Sequence, residues 1–175
     1  RHEQGVAYMA FGYAQSTGKP GVYAVVPGPG ILNTTAALST AYACNSRVLA
    51  ITGQIPSSYI GRELGMLHEI PNQLSILEGL TKFAKRINYP SDAPAIVSEA
   101  FKNMRSGRPR PTAIEMPMDI MQHKSEVALR TFTDGYSPPA ADPDLIKEAA
   151  LILGAAKNPV IFVGTGAYEA GKEVT

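Results

Sequence analysis

Apolar residues recur along this chain in two alternating rhythms. Over residues 4–16, Ala7, Ala10, Phe11 and Ala14 fall at helical spacing, and Gly18 supplies a stop. Residues 21–26 form a short apolar run ending at Pro27, which predicts a strand. Residues 31–44 carry mostly small side chains and predict a second, closely packing helix. The unbroken run Val48, Leu49, Ala50 and Ile51 predicts a strand over 47–52 that is covered on both faces. Between 53 and 71 the pattern loosens into a loop bearing Gly, Pro and Ser. A short helix over 72–79 and a strand over 83–87 follow. A helical stripe of Ile96, Val97, Ala100, Phe101 and Met104 then runs up to Gly107, before a last strand over 112–116. Strands separated by helices predict parallel pairing with right-handed crossovers. The expected fold class is therefore α/β, a doubly wound parallel sheet with helices on both faces.

After Asp119 the periodicity fades, and the polar stretch containing Pro138-Pro139 reads as a linker. At Asp142-Pro143 a capping residue followed by proline starts a new helix, with Leu145, Ile146, Ala149, Ala150 and Leu153 as its stripe. A strand over 160–163 and the turn Gly164-Thr165-Gly166 complete the pattern. The expected organisation is a first domain over 1–123, a linker over 124–141, and the beginning of a second, Rossmann-like α/β domain over 142–175. The chain opens without Met, at what reads as a strand-to-helix junction. It is expected to be a fragment, with the first domain short of an N-terminal segment and the second cut off early.

Composition narrows the classes. Of 175 residues, 45% are apolar and 18% charged, which suits a packed core and argues against disorder. A formal charge of +1 gives no sign of a nucleic-acid or membrane-surface partner. Lys102, Arg105, Arg108 and Arg110 read as the solvated end of a helix, favoured by its dipole. One cysteine, Cys44, cannot form an internal disulfide or a cysteine metal cluster, so a reducing, cytoplasmic setting is the default. It is expected to be a buried, inert thiol. No apolar run reaches membrane-spanning length.

Candidate chemistry gathers at two places. Arg1-His2-Glu3-Gln4 puts the carboxylate of Glu3 at a helix start, at the carboxyl edge of a presumed strand, where open parallel sheets bind ligands. Burial there would raise its pKa and suit it to proton exchange with a ligand nitrogen; the plain alternative is a dipole partner. On the same edge, Gly28-Pro29-Gly30 permits tight turning and close approach by a ligand, and Asn33 falls in the first turn of the following helix. A helix-capping corner without a ligand explains that motif equally well. A dinucleotide fingerprint would want Gly at position 33. A phosphate loop at Gly166 to Glu173 is rejected, because Glu173 stands where a hydroxyl residue should hold magnesium. Neither His2-Glu3 nor His68-Glu69 has a second histidine at zinc-protease spacing, so no metal site is expected. His68 lies in the Gly/Pro-flanked loop, as a surface residue or as a functional one.

Taken in order, Arg1-His2-Glu3-Gln4-Gly5, Gly12-Tyr13-Ala14, Gly18-Lys19-Pro20-Gly21, Gly28-Pro29-Gly30 with Asn33, Thr52-Gly53-Gln54 and Ser106-Gly107-Arg108-Pro109 are more specific than any one motif. This run resembles the N-terminal, pyrimidine-binding domain of the acetolactate synthase and pyruvate oxidase group of thiamine diphosphate enzymes. The acetolactate synthase large subunits are the nearest look. The resemblance covers roughly residues 1 to 120, and from Asp142 the chain looks like the start of that group's central domain, including Asn158-Pro159-Val160. It implies that Glu3 hydrogen-bonds N1′ of the cofactor's aminopyrimidine and so promotes the tautomer that activates thiazolium C2. It also implies that Pro29 and Asn33 border the pyrimidine while Gly30 shapes the corner. Mg²⁺ ligands would come from the group's diphosphate-binding domain, which this chain lacks. FAD occurs in some relatives, and no residue here tests for it.

The implied activity is acetolactate synthase-like decarboxylation of pyruvate with carboligation. The implied partners are a small-molecule 2-oxo acid and a second subunit, in a homo-oligomer whose active sites are shared between subunits. The fragment alone is then expected to be inactive. One departure matters: Leu67-His68 stands before Glu69 where acetolactate synthases usually have Phe-Gln. Histidine moves protons near neutral pH, which opens the alternative of a non-oxidative 2-oxo acid decarboxylase using His68. A rival of another class is a catalytically silent assembly domain.

Overall fold

Helix α1 (Glu3–Thr17) starts where the Nδ1 of His2 accepts the backbone N–H of Gln4 (3.2 Å). It ends where Gly18 adopts the left-handed conformation (φ 68°) and returns its N–H to the Ala14 carbonyl. Its buried stripe is Ala7, Ala10 and Ala14. Strand β1 (Gly21–Val25) passes directly beneath, and a Cβ on Gly21 would overlap the Ala10 carbonyl oxygen. Backbone therefore lies on backbone at this crossing, which only glycine allows.

The computed structural model describes residues 2–129, 137, 139–168 and 170–174, in two units, Arg1–Tyr136 and Ser137–Thr175. In the first, β1 pairs with β2 (Val48–Gln54), β2 with β4 (Thr112–Pro117), and β4 with β3 (Phe83–Arg86). Every pair is parallel, in the order β1-β2-β4-β3. Alternate residues of β2 serve opposite faces. Val48 and Ala50 join Ala37, Leu38 and Ala41 of α3 (Thr35–Ala43), Leu77 of α4 (Gln73–Leu80), and the α1 stripe. Leu49 joins Ile96, Ala100 and Met104 of α5 (Ala93–Arg105). The fold class is thus the doubly wound α/β sheet that the periodicity predicts.

Three local expectations are corrected. The helix predicted over 31–44 is two, α2 (Pro29–Leu32) and α3. The hydroxyl of Thr34 donates to the Ile31 carbonyl (2.7 Å) and accepts from Tyr23 (2.9 Å), which competes with continuous helical bonding. Asn33 is consequently the C-cap of α2 and not part of a long helix's first turn. Cys44 is exposed, because α3 ends at Ala43 and the thiol leaves the Ala37–Ala41 stripe at the C-cap. A one-turn helix, α6 (Met118–Gln122), forms where the periodicity had faded. Of the basic cluster, Lys102 and Arg105 do close α5, while Arg110 stacks over the Tyr42 ring at 3.7 Å.

In the second unit, α7 (Pro143–Ala155) starts as predicted: an Asp142 carboxylate oxygen accepts the Asp144 N–H (2.9 Å), and Pro143 takes the first position. A one-turn 3-10 helix (Thr165–Ala167) and α8 (Gly171–Val174) follow. The strand expected over 160–163 does not form. Its backbone finds no ladder partner among the described residues, and Phe162 is 95% exposed. Part of the expected linker, residues 130–136 and Pro138, lies outside the described residues.

Tyr23 supplies a pH test of the first unit's core. Burial pushes its pKa up to about 12, against the opposing pull of the Thr34 bond. An unfolded tyrosine ionises near ~10, so between about pH 10 and 12 the unfolded chain holds fewer protons than the folded one. Stability is accordingly full below that window and falls as pH rises through it, by about 2–3 kcal/mol from this group. Urea unfolding across the window should show a shallower alkaline decline in Tyr23→Phe, and identical slopes would refute the assignment.

Candidate functional site

The carboxyl edge of the sheet is where the predicted residues meet. After β1 the chain turns at Gly28 (φ 62°, ψ −119°), a conformation that suits glycine, and Pro29 opens α2. A Cβ on Gly28 would overlap the carbonyl of His68. One on Gly30 would stand 2.5 Å from Val26 Cγ2 and 3.8 Å from Glu3 Cγ. The corner therefore packs at van der Waals range against both the 53–71 loop and the start of α1. There the Asn33 amide donates to Glu3 Oε2 (3.0 Å), bringing together two side chains thirty residues apart.

The electrostatics of Glu3 differ from expectation. Its side chain is half-buried, and the Asn33 amide, followed by the residue's own backbone N–H, holds its carboxyl below the ordinary value. Desolvation acts in the raising direction and is outweighed. Glu3 is an ionised acceptor at neutral pH, already oriented by a carboxamide.

Behind the corner lies a buried polar network that sequence reasoning missed. Gln73, 1% exposed at the start of α4, accepts the Gly28 N–H through Oε1 (2.8 Å). Its Nε2 donates to the Gly53 carbonyl (3.0 Å) and to Glu115 Oε2 (2.8 Å). Glu115, fully buried in β4, takes Arg86 Nε on its other oxygen at 2.5 Å. The available signal was a charged residue inside the apolar run 112–116, with Arg86 in the neighbouring strand.

The 53–71 loop folds over this network. Its 3-10 turn, Ser57–Tyr59, is pinned by Asp119, whose oxygens accept the Ser57 N–H (2.9 Å) and hydroxyl (2.5 Å). Those bonds, the hydroxyl's foremost, hold the Asp119 carboxyl below its usual value. His68 is half-buried with φ 70°, and Glu69 accepts the Met66 N–H (2.8 Å). The loop brings the His68 backbone onto Gly28. A cavity of about 680 Å³ opens beside it, lined by Gln54, Ile60, Glu63, Glu69, Gln73 and Arg86 among others, but not by Glu3, Pro29, Gly30 or Asn33. Among the described residues no cluster of His, Cys, Asp and Glu could hold a metal ion, and no helix is long and apolar enough to cross a membrane.

The acceptor set fits a protonated ring nitrogen of an aminopyrimidine. A carboxylate offers about four lone-pair directions, of which the Asn33 amide and the residue's own backbone N–H engage two. The remaining acceptor capacity lies beside the Pro29–Gly30 corner. Comparison with known proteins agrees. Residues 1–76 match the family described as thiamine pyrophosphate enzyme, N-terminal TPP binding domain. The chain is 38% identical to an acetolactate synthase of Arthrospira platensis, over 98% of this chain and 30% of that protein. It is 35% identical to a probable 2-ketoarginine decarboxylase of Pseudomonas aeruginosa, over 98% and 31%. With the acetolactate synthase isozyme 1 large subunit of Escherichia coli the identity is 33%, over 99% and 31%. The chain thus spans about three tenths of the length of these relatives. Its first 76 residues belong to the N-terminal binding domain of the thiamine pyrophosphate enzymes, and nearly all of it is acetolactate synthase-like.

Proposed function

We propose that the whole protein is a thiamine diphosphate-dependent enzyme acting on a 2-oxo acid, with acetolactate synthase-like carboligation as its reaction. This chain would supply the pyrimidine half of the cofactor site. The observation that carries the reading is the Glu3–Asn33 pair at the Gly28–Gly30 corner. Thiamine diphosphate, when bound, supplies the nucleophilic carbon and the electron sink needed to release carbon dioxide from a 2-oxo acid. Glu3, kept ionised, holds the proton at N1′ by accepting its hydrogen bond. Asn33 orients that carboxylate, while Pro29 and Gly30 border the ring. A silent assembly domain has no use for an oriented carboxylate at this edge. We assign Mg²⁺ to ligands of the family's diphosphate-binding domain, and the second side of the site to another subunit of a homo-oligomer. We take residues 142–175 as the beginning of the central domain and the cytoplasm as the setting.

A second reading has its own support. By the resemblance His68 stands where acetolactate synthases usually have glutamine, its backbone packs on the corner, and one relative is named a probable 2-ketoarginine decarboxylase. In that case His68 donates the proton that ends a simple decarboxylation. Proton NMR of pyruvate with the whole protein, with and without thiamine diphosphate and Mg²⁺, separates the cases. Cofactor-dependent acetolactate supports carboligation, and acetaldehyde supports the decarboxylase. Cofactor binding without turnover directs the test to larger 2-oxo acids, 2-ketoarginine first. Absence of cofactor binding sinks both.

A further inference from the structure

One side chain gathers the carboxyl ends of three strands and, through Glu115, reaches the fourth. The Gln73 carboxamide contacts Gly28 beyond β1, Gly53 in β2 and Glu115 in β4, and Glu115 passes the connection to Arg86 in β3. Its orientation is dictated by chemistry. Nε2 faces a carbonyl and a carboxylate, both acceptors, so Oε1 must face the Gly28 N–H. A flipped amide would set oxygen against two oxygens and N–H against N–H. Gly28 precedes α2 and has no side chain of its own with which to cap it. Its buried amide depends on Gln73 for a partner.

We propose that Gln73 is a positioning residue for the cofactor corner. Held by Glu115 and Gly53, it fixes the Gly28 amide, and through it the places of Pro29, Gly30 and Asn33, the last of which orients Glu3. Gln73 touches none of the reacting atoms, so its effect is on how well the corner is preformed for the pyrimidine. The inference rests on the thiamine diphosphate reading.

The test uses the whole protein and three variants. Gln73→Met keeps the length of the side chain and removes the carboxamide. Gln73→Asn keeps the carboxamide but is one methylene too short to serve all its partners, and is the milder case should the first fold poorly. Leu77→Ala, in the core on the same helix, lowers stability without touching the network. Calorimetry reads thiamine diphosphate affinity in the presence of Mg²⁺, and hydrogen exchange reads the Gly28 amide. Gln73→Met loses three hydrogen bonds, and the loss of the one to Gly28 predicts about tenfold weaker cofactor binding and about tenfold faster Gly28 exchange. Gln73→Asn should move both in the same direction. Leu77→Ala should reduce thermal stability at least as much, with affinity within about twofold of wild type. Wild-type affinity in folded Gln73 variants overturns the inference, as does an equal loss in Leu77→Ala. Absence of binding by the wild-type protein overturns instead the cofactor reading beneath it.

Discussion

Glu3→Gln is expected to leave the fold intact and to reduce cofactor-dependent turnover by about two or more orders of magnitude. The substitution is nearly isosteric, and the glutamine oxygen can still accept the Asn33 amide. What disappears is the negative charge, and with it the ability to hold a proton on the cofactor's ring nitrogen. Stability should change little, because α1 is anchored by the His2 cap and the Ala7–Ala10–Ala14 stripe. The lost charge sits in the first turn of α1, where water screens its interaction with the helix dipole. The check is kcat at saturating thiamine diphosphate beside a thermal melt. Unchanged kcat in a folded variant would remove Glu3 from the mechanism.

Glu115→Leu is expected to lower the stability of the first unit by about 3–5 kcal/mol. Glu115 is fully buried and is met by both the Arg86 guanidinium and the Gln73 amide. Leucine fills most of the volume but strands two donors. The side chain of Arg86 is 24% exposed and can turn partly to water, which places the expected value at the lower end of that range. Replacing both members, Glu115→Leu with Arg86→Leu, should recover part of the loss, because the double variant leaves no unpaired charge in the sheet. Urea unfolding of the two variants decides it. A double variant less stable than Glu115→Leu alone would mean that Arg86 has a second stabilising partner.

Much of this architecture was legible because its signals are local. The small-residue stripe of α1, the apolar run of β2 and the caps at Gly18 and Asp142 each involve residues within a few positions of one another. The corner residues were legible because Gly and Pro punctuate the chain, and Glu3, Gly28-Pro29-Gly30 and Asn33 do converge. The Gln73 network was not legible. Its members are drawn from Gly28, Gly53, Gln73, Arg86 and Glu115, and only the parallel register that sets Arg86 beside Glu115 brings them into reach. The break before α3 was hidden for a similar reason, since Thr34 reads as helical until the buried Tyr23 hydroxyl meets it. The 160–163 segment carries strand composition, but a strand exists only where a neighbour completes its hydrogen bonds. The lowered pKa of Glu3 depends on a donor thirty residues away, so composition alone predicts the wrong sign.

The crossing of α1 over Gly21 has a consequence for redesign. Most helix-to-sheet distances can be adjusted by exchanging a leucine for a valine, because side chains act as spacers. Here the spacer is absent, and the helix that carries Glu3 rests on bare main chain. The depth of the carboxylate relative to the sheet is thereby set by atoms common to every amino acid. Libraries that vary the corner residues can reshape what surrounds Glu3, but they inherit the height at which its helix sits.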